Sequence, residues 1–302
     1  MSLKAIFFIL FIGWASLTAC SSSHSNTVAS ASATSDSLEL PLPEVPSDVT
    51  VPSARAAYYI LHFWDALDFT DTVRTRNRDF LEQNFVNFID FFQYADLADR
   101  KKAVDTLLSR ARTDEATFNE LIDIAEIYLY EPDSPMRSED DYALFLNYIV
   151  ETAPNYYDTL GPREQLDQIS KNRSGMRAAD FSFTTREGKK QTLHGVRSRG
   201  DILLIFYDPD CDHCIRVINQ LAKDADLNDK IRSGAMTVLA VYSGDNRPLW
   251  DKTKSSLPSQ WIVGFEPGDM QEQGKFVIRT MPTLYLLTSD HIVKQKEIHL
   301  SE

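Results

Sequence analysis

A short apolar run followed by two closely spaced cysteines constrains the fold of this chain more than any other feature. Residues 202–207 read ILLIFY, and Cys211 and Cys214 follow after a linker of sequence DPD. A continuous apolar run of this length is typical of a strand buried on both faces. The stretch from about residue 213 to 232 has apolar residues at helical spacing. The sequence therefore predicts a strand–turn–helix unit with both cysteines at the start of the helix.

Strands continue to alternate with helices on both sides of this unit. The predicted strands are 181–185, 191–193, 236–242, 261–265, 283–287 and 292–298, and the further predicted helices are 246–256 and 269–276. This alternation is typical of a layered α/β fold. We therefore expect residues 173–302 to form an α/β domain in which helices flank a mixed sheet.

Residues 54–172 show helical periodicity instead and predict a separate all-α domain of about five helices. Ser138, with Asp141 three residues later, resembles a capping box that starts one of them. The phenylalanines of the segment NFVNFIDFF could line a binding groove. An aromatic stripe at helical spacing more often belongs to a hydrophobic core, and we interpret it as core.

The N-terminal residues 1–20 predict a secretory signal peptide, because an apolar run too short to span a bilayer is followed at once by polar residues. Their last four residues, LTAC, resemble the lipobox of bacterial lipoproteins. That resemblance implies cleavage and lipidation at Cys20. The alternative is an ordinary secretory cleavage site in front of a cysteine. Residues 21–53 are rich in Ser, Thr, Ala and Pro and predict a flexible tether.

The net charge of −13 is not offset by any cluster of Lys and Arg interleaved with aromatic residues. A charge of this sign repels nucleic acid at long range. We therefore expect no nucleic-acid partner.

Export makes the cysteine count informative. If Cys20 carries lipid, Cys211 and Cys214 are the remaining thiols in a compartment that bacteria keep oxidising. A cysteine in the first turn of a helix faces unpaired backbone N–H groups and the positive end of the helix dipole, which favour the thiolate. We therefore predict that Cys211 is the nucleophile and that Cys214, one turn deeper on the same face, is the resolving thiol.

Residues 174–298 resemble the thioredoxin superfamily and, within it, the membrane-tethered thiol-disulfide oxidoreductases related to cytochrome c maturation proteins (TlpA-like). Besides the cysteine pair, the matching residues are AADF at 178–181, Gly188-Lys189, Leu193 and RTMPT at 279–283. The resemblance implies a thioredoxin-like fold without a cofactor. It also implies a cis bond between Met281 and Pro282, with both residues in the substrate groove beside the redox pair. Thioredoxins usually add a helix after the last strand, whereas this sequence ends at Glu302, just after its last predicted strand. We therefore expect the helical domain to cover the face of the sheet on which that helix would pack.

The chain departs from the family pattern around the cysteines. Ile205 replaces a buried carboxylate that lies six residues before the first cysteine in many thioredoxins, so we expect Asp208 or water to substitute, or turnover to be slow. Asp210 stands where an aromatic residue is usual. His213 favours the thiolate, whereas Asp210 and Asp212 oppose it. These three residues shift the reduction potential in opposite directions, so the sequence does not show whether the pair is reducing or oxidising.

Three alternatives compete with a redox pair. A Cys-x-x-Cys pair supplies two of the four ligands of a structural zinc site, but no further residues show ligand spacing, and we expect no metal. A peroxiredoxin would need Thr or Ser three residues before its cysteine and Pro seven before, where this chain has Asp208 and Leu204. The third alternative is a thioredoxin-like binding or interaction module whose disulfide is structural.

Residues 54–172 resemble the helical regions that precede thioredoxin-like domains in envelope lipoproteins of the Bacteroidetes, and we interpret them as a packing or docking platform. We expect a lipid-anchored protein of the bacterial cell envelope, facing the periplasm. It would carry out thiol-disulfide exchange with the thiols and disulfides of other proteins. The resemblance favours a reductase that receives electrons from a membrane thiol donor.

Overall fold

The computed structural model describes residues 38–298, which form a helical region followed by an α/β region. The predicted signal peptide, Cys20 and the first part of the predicted tether lie outside the described residues, so those expectations stay predictions. Within residues 38–298, no helix is long and apolar enough to cross a membrane.

The helical region holds more helices than the five or so expected. Its described residues form α1 (Pro52–His62), α2 (Thr72–Thr75), α3 (Arg78–Asp90), α4 (Leu97–Ala111), α5 (Glu115–Leu129), α6 (Glu139–Thr152) and α7 (Leu160–Ser170). Helix α7 buries only Ile169, and α1 buries only Ala56 and Ile60. Helix α2 has four residues, too few to show a period.

The phenylalanine stripe belongs to the core of the helical region, as predicted. Phe85 and Phe88 on α3 are completely buried. Phe88 packs edge-on against Trp64 with ring centroids 5.9 Å apart, and Phe85 contacts Phe145 of α6 at 5.6 Å. Aromatic pairs in these orientations add to the stabilisation that comes from burial alone.

Helix α6 begins at the predicted Ser138, but only half of a capping box forms. The hydroxyl of Ser138 accepts a hydrogen bond from the backbone N–H of Asp141 at 3.3 Å. The Asp141 carboxylate binds that hydroxyl at 2.6 Å, while the backbone N–H of Ser138 donates to the carbonyl of Leu129. A reciprocal box would pair that N–H with the carboxylate.

The predicted tether ends earlier than residue 53. Leu40 is buried in the helical core, with 6% of its surface exposed. Its backbone N–H donates to Oδ1 of the buried Asn84 at 2.8 Å, and Nδ2 of Asn84 donates to the carbonyl of Leu38 at 2.7 Å. The chain is therefore attached to α3 well before α1 begins.

The α/β region is built on a seven-stranded mixed sheet with the order β2-β1-β5-β4-β3-β6-β7. The strands are β1 (Ser182–Thr185), β2 (Lys190–Thr192), β3 (Asp201–Tyr207), β4 (Met236–Ser243), β5 (Ile262–Glu266), β6 (Thr283–Leu287) and β7 (Val293–Gln295). Strands β3, β4 and β5 run parallel, and the other neighbouring strands pair antiparallel. This is the mixed sheet that the sequence predicts.

The helices of the α/β region differ in detail from the prediction. They are α8 (Asp212–Lys223), α9 (Ala225–Ser233), α10 (Arg247–Thr253) and α11 (Asp269–Glu272). The single helix predicted over 213–232 is broken at Asp224, whose carboxylate accepts a hydrogen bond from the N–H of Leu227 at 2.6 Å and caps α9.

Both faces of the sheet are covered by the α/β region itself. Leu203, Ile205 and Tyr207 of β3 pack against α8, α9 and α10. The alternate residues of β3 face the segments 178–196 and 270–276. The expectation that the helical region covers one face is therefore wrong.

The helical region instead contacts the end of β7 and the chain before β6. The ammonium of Lys296 donates to the backbone carbonyls of Ile169 and Lys171 at 3.3 and 3.1 Å. Nδ2 of Asn172 donates to the carbonyl of Lys275 at 2.8 Å. These contacts place the helices next to the loop that carries Met281.

Candidate functional site

Cys211 is the N-cap residue of α8. Its backbone is extended (φ −96°, ψ 113°), and its Sγ accepts a hydrogen bond from the backbone N–H of Cys214 at 3.3 Å. At this position Ser, Thr or Asp usually supplies a side-chain oxygen, which accepts the hydrogen bond from a backbone N–H of the first turn. A sulfur there faces the positive end of the helix dipole and the unpaired backbone N–H groups of the first turn. The structure thus gives Cys211 the surroundings that the sequence predicts.

Cys214 has the opposite surroundings. It is completely buried among the apolar side chains between β3 and α8, whereas Cys211 is partly exposed. Burial raises the pKa of the Cys214 thiol to about 12, so it stays protonated at neutral pH. Both cysteines are free thiols, which corresponds to the reduced form of the pair.

The Met281–Pro282 peptide bond is cis and lies beside the cysteines, as the family resemblance implies. The Cys211 thiol donates to the carbonyl oxygen of Met281 over 3.9 Å. The sheet brings them together because β3 pairs antiparallel with β6, with Phe206 opposite Thr283. The loop after β3 therefore lies next to the loop before β6.

The flanking charged residues lie near the pair without contacting its sulfurs. Asp210, Asp212 and His213 are exposed, and no hydrogen bond among the described residues joins them to either sulfur. Nδ1 of His213 lies 3.4 Å from a guanidinium nitrogen of Arg216. Their roles in setting the reduction potential stay predictions.

Ile205 occupies the position at which many thioredoxins have a buried carboxylate, and its surroundings are apolar. Ile205 is completely buried on the sheet face that also packs against Cys214. The Asp208 carboxylate accepts the backbone N–H of Asp210 at 2.8 Å and so stabilises the turn before α8. Burial is the main cause of the raised pKa of Cys214; a backbone hydrogen bond at Asp208 lowers that pKa, and the negative charge of Asp208 is a smaller contribution that raises it.

Tyr207, a buried tyrosine that packs against α8, was not predicted from the sequence as a residue of the site. Tyr207 lies on the same face of β3 as Ile205 and Cys214, and its hydroxyl has no hydrogen-bond partner among the described residues. Burial raises its pKa well above the usual value. The alternation of β3 could have placed Tyr207 on this face, since it lies two residues after Ile205.

Sequence reasoning also missed the ion pairs that join the helical region to the loop before Met281. Arg279 pairs with the buried Glu297, which also pairs with Arg137. Glu139 pairs with Arg137 at 2.8 Å and with Lys296 at 2.6 Å. Apart from Arg137 and Glu139, these pairs join residues at least 18 positions apart, so no local pattern marks them.

Residues 38–298 contain no group of three or more His, Cys, Asp or Glu side chains that could hold a metal ion.

The sequence profile of a family described as "Domain of unknown function (DUF5106)" matches residues 18–172. This chain belongs to the DUF5106 family. The DUF5106 match covers the helical region together with the segment before it, and it ends where the chain enters the α/β region. No curated protein matches the chain.

Among solved structures, a thioredoxin-like protein from Bacteroides caccae ATCC 43185 is 27% identical, with a TM-score of 0.76 over 86% of this chain and 94% of that chain. A conserved protein of unknown function from Bacteroides fragilis is 32% identical over 42% of this chain and 93% of its own, with a TM-score of 0.41. The thioredoxin domain of a thiol-disulfide oxidoreductase from Bacteroides vulgatus is 16% identical over 42% and 89%, with a TM-score of 0.37. The first match supports the fold across both regions. The α/β region of this DUF5106 protein is thioredoxin-like.

Proposed function

We propose that this protein is a thiol-disulfide oxidoreductase that exchanges disulfides with protein substrates through Cys211 and Cys214. The observation that carries the proposal is the position of the Cys211 sulfur. It lies 3.3 Å from the backbone nitrogen of Cys214 and 3.9 Å from the carbonyl oxygen of Met281. This position supports a partly exposed nucleophile next to a backbone segment that can align a substrate chain.

In the first step, the thiolate of Cys211 attacks one sulfur of a client disulfide, and the other client sulfur leaves as a thiolate. The product is a mixed disulfide between Cys211 and the client. Cys214 then loses its proton and attacks the sulfur of Cys211, so that the second client thiolate is released. Overall, the dithiol gives two electrons and two protons to the client and becomes a Cys211–Cys214 disulfide.

The second step needs a base, because the pKa of Cys214 is raised and a thiolate is the attacking species. Ile205 supplies none. We propose that water near Asp208 accepts the proton, and that the second step is slower than the first. A mixed disulfide with a long lifetime follows from this order of rates.

We propose the reducing direction, with electrons supplied by a membrane thiol donor. The resemblance to reducing relatives supports this direction, and Asp208, Asp210 and Asp212 lie close to Cys211 in the sequence, where their negative charges oppose a further negative charge. A less stable thiolate makes the dithiol more reducing. The signal-like segment before Cys20 supports the further proposal of a lipid anchor in the cell envelope, facing the periplasm.

The proposal is tested by single-turnover reduction of a disulfide-bonded model peptide. Reduced Cys214→Ser should accumulate a mixed disulfide at Cys211, detected as a mass increase on the peptide that contains residue 211. Cys211→Ser should accumulate none, and the wild type should pass through the adduct to an internal disulfide. If no variant forms an adduct and the wild type does not reduce the peptide, the protein is a binding module with a structural pair.

A further inference from the structure

Arg279 precedes Met281 by two residues, and its guanidinium contacts the helical region. The guanidinium carbon lies 4.0 Å from the centroid of the Tyr130 ring, and Nη1 donates to the Tyr130 carbonyl oxygen at 3.2 Å. The other guanidinium nitrogens pair with the buried carboxylate of Glu297. The Arg279 side chain is therefore held between Tyr130 of the helical region and Glu297 at the end of the α/β region.

The segment that carries Arg279 and Met281 has little backbone support of its own. Residues 276–282, which we call the Met281 loop, belong to no helix or strand. Within residues 38–298, no backbone-to-backbone hydrogen bond involves them. Phe276 is buried at the start of the loop and Pro282 at its end, whereas Met281 is partly exposed. The position of Met281 therefore depends on side-chain contacts, among them those of Arg279.

The helical region also contacts the chain on both sides of the Met281 loop. Before the loop, Nδ2 of Asn172 donates to the carbonyl oxygen of Lys275 at 2.8 Å. After β6 and β7, the ammonium of Lys296 pairs with Glu139 at 2.6 Å. The helical region thus holds the segment 275–296 at both ends and, through Arg279, within the loop.

The Met281 loop affects exchange because the carbonyl oxygen of Met281 lies 3.9 Å from the Cys211 sulfur. A client chain aligned along this loop must bring its disulfide to that sulfur, and a misplacement of about 1 Å can slow a reaction about 100-fold. A loop that already has its binding conformation also avoids the entropic cost of being ordered by the client. A small disulfide has no peptide backbone to align, so its reaction does not depend on this contact.

We propose that the helical region positions the Met281 loop for peptide substrates, with Tyr130 and Arg279 as the positioning residues. The inference rests on the proposed thiol-disulfide exchange and gives the helical region a role in it. Tyr130 acts through Arg279, and Arg279 acts through the backbone that joins it to Met281.

The test compares two mixed disulfides that share thionitrobenzoate as the leaving group. One contains a cysteine at the centre of an extended peptide, and the other contains mercaptoethanol. The Cys211 thiolate attacks the sulfur of the peptide or of mercaptoethanol, a disulfide to Cys211 forms, and the coloured thionitrobenzoate thiolate leaves. We expect Tyr130→Leu, which removes the ring beside the guanidinium, to react about three- to tenfold more slowly than wild type with the peptide and equally fast with the mercaptoethanol disulfide.

Two control variants leave the contact in place. Tyr130→Phe keeps the ring and loses the hydroxyl that donates to Gln168 at 3.0 Å, so it should react like wild type. Phe118→Leu removes a ring near the opposite end of α5 that is equally buried and lies 3.5 Å from the guanidinium carbon of Arg112. It should slow neither reaction, because Arg112 does not belong to the Met281 loop.

Arg279→Met removes the other side of the contact and should also slow the peptide reaction alone. The double variant Tyr130→Leu/Arg279→Met should react with the peptide at the rate of Arg279→Met, since the ring then has no guanidinium to hold. Circular dichroism shows whether each variant is folded. If Tyr130→Leu is not, Arg279→Met tests the same contact from the loop side.

The outcomes separate the two proposals. If wild-type protein releases no thionitrobenzoate from either disulfide, the proposed exchange fails and the inference falls with it. If Tyr130→Leu and Arg279→Met keep the wild-type rate with the peptide, or slow both disulfides equally, the inference is overturned while the exchange stands. A loss of the peptide rate in Phe118→Leu would overturn it as well.

Discussion

The backbone N–H of Cys214 donates to the sulfur of Cys211 over 3.3 Å, so the amide of the buried cysteine supports its partly exposed neighbour as a nucleophile. The two residues belong to one helical turn, yet one sulfur is partly exposed and the other is buried. This difference suits the two steps of exchange, because only the first attack needs access to a client.

Selective alkylation tests this difference between the two thiols. A thiol with a pKa of about 12 is ionised to roughly one part in ten thousand at pH 8, and Cys214 is also shielded from reagents. We expect iodoacetamide to modify Cys211 in the folded, reduced protein and to leave Cys214 unmodified. Unfolding in guanidinium should make both react. Equal rates in the folded protein, measured by mass spectrometry of peptides, would contradict the assignment.

The raised pKa of Cys214 also predicts a pH dependence of stability. Its folded value of about 12 exceeds the unfolded value of 9.0, so the folded state holds the proton more tightly between these values. The contribution is complete below pH 9 and is lost as pH rises toward 12. Cys211→Ser, which keeps the Cys214 thiol, should therefore lose up to about 1 kcal/mol per pH unit above pH 9 relative to a double variant that also carries Cys214→Ser. Urea denaturation at pH 8, 9 and 10 gives the comparison, and parallel curves would disprove the assigned direction of the shift.

Arg279 is expected to contribute to stability through its contact with the helical region. The Arg279→Met variant removes one of the two Arg partners of the buried Glu297 and the cation over Tyr130, and should lower the free energy of unfolding by about 1–3 kcal/mol. Arg279→Lys should recover part of the loss. The matched control is Arg232→Met, which breaks an ion pair with Asp229 whose side chains are 71% and 65% exposed and should change stability little. A similar loss in both Met variants would show that Arg279 has no special role.

Asn84 should determine whether the segment around Leu40 stays attached to α3. Its amide makes hydrogen bonds to the backbone of both Leu38 and Leu40 from a buried position. We expect Asn84→Ala to cost about 1–3 kcal/mol, because buried backbone groups lose their partners. Limited proteolysis near residue 40 should also accelerate. The control Gln83→Ala alters an exposed amide on the same helix and should affect neither measurement.

Features encoded by neighbouring residues were predictable from the sequence. The apolar run of β3, the cysteines at the start of α8 and the phenylalanine stripe of α3 each depend on local spacing. The position of Met281 beside Cys211 depended on a family resemblance, because the antiparallel pairing of β3 with β6 brings together residues 70 positions apart.

Features encoded by distant partners were not predictable. Arg137 and Glu297 are 160 positions apart, and neither lies in a motif that suggests a buried ion pair. The attachment of Leu40 depends on hydrogen bonds between the side chain of Asn84 and the backbone, in which Asn84 accepts from Leu40 and donates to Leu38, and hydropathy does not reveal them. The break at Asp224 was missed because the apolar spacing continues across it, while a side-chain cap starts the new helix.

An equilibrium titration of the cysteine pair in thiol–disulfide redox buffers tests the central claim most directly. At each potential the free thiols are trapped by alkylation. Mass spectrometry of the intact protein then gives the fractions of dithiol and disulfide. We expect one two-electron transition with a midpoint nearer the thioredoxin value of about −270 mV than the DsbA value of about −120 mV. A pair that stays entirely oxidised or entirely reduced across buffers that span both values would contradict the claim that Cys211 and Cys214 exchange disulfides.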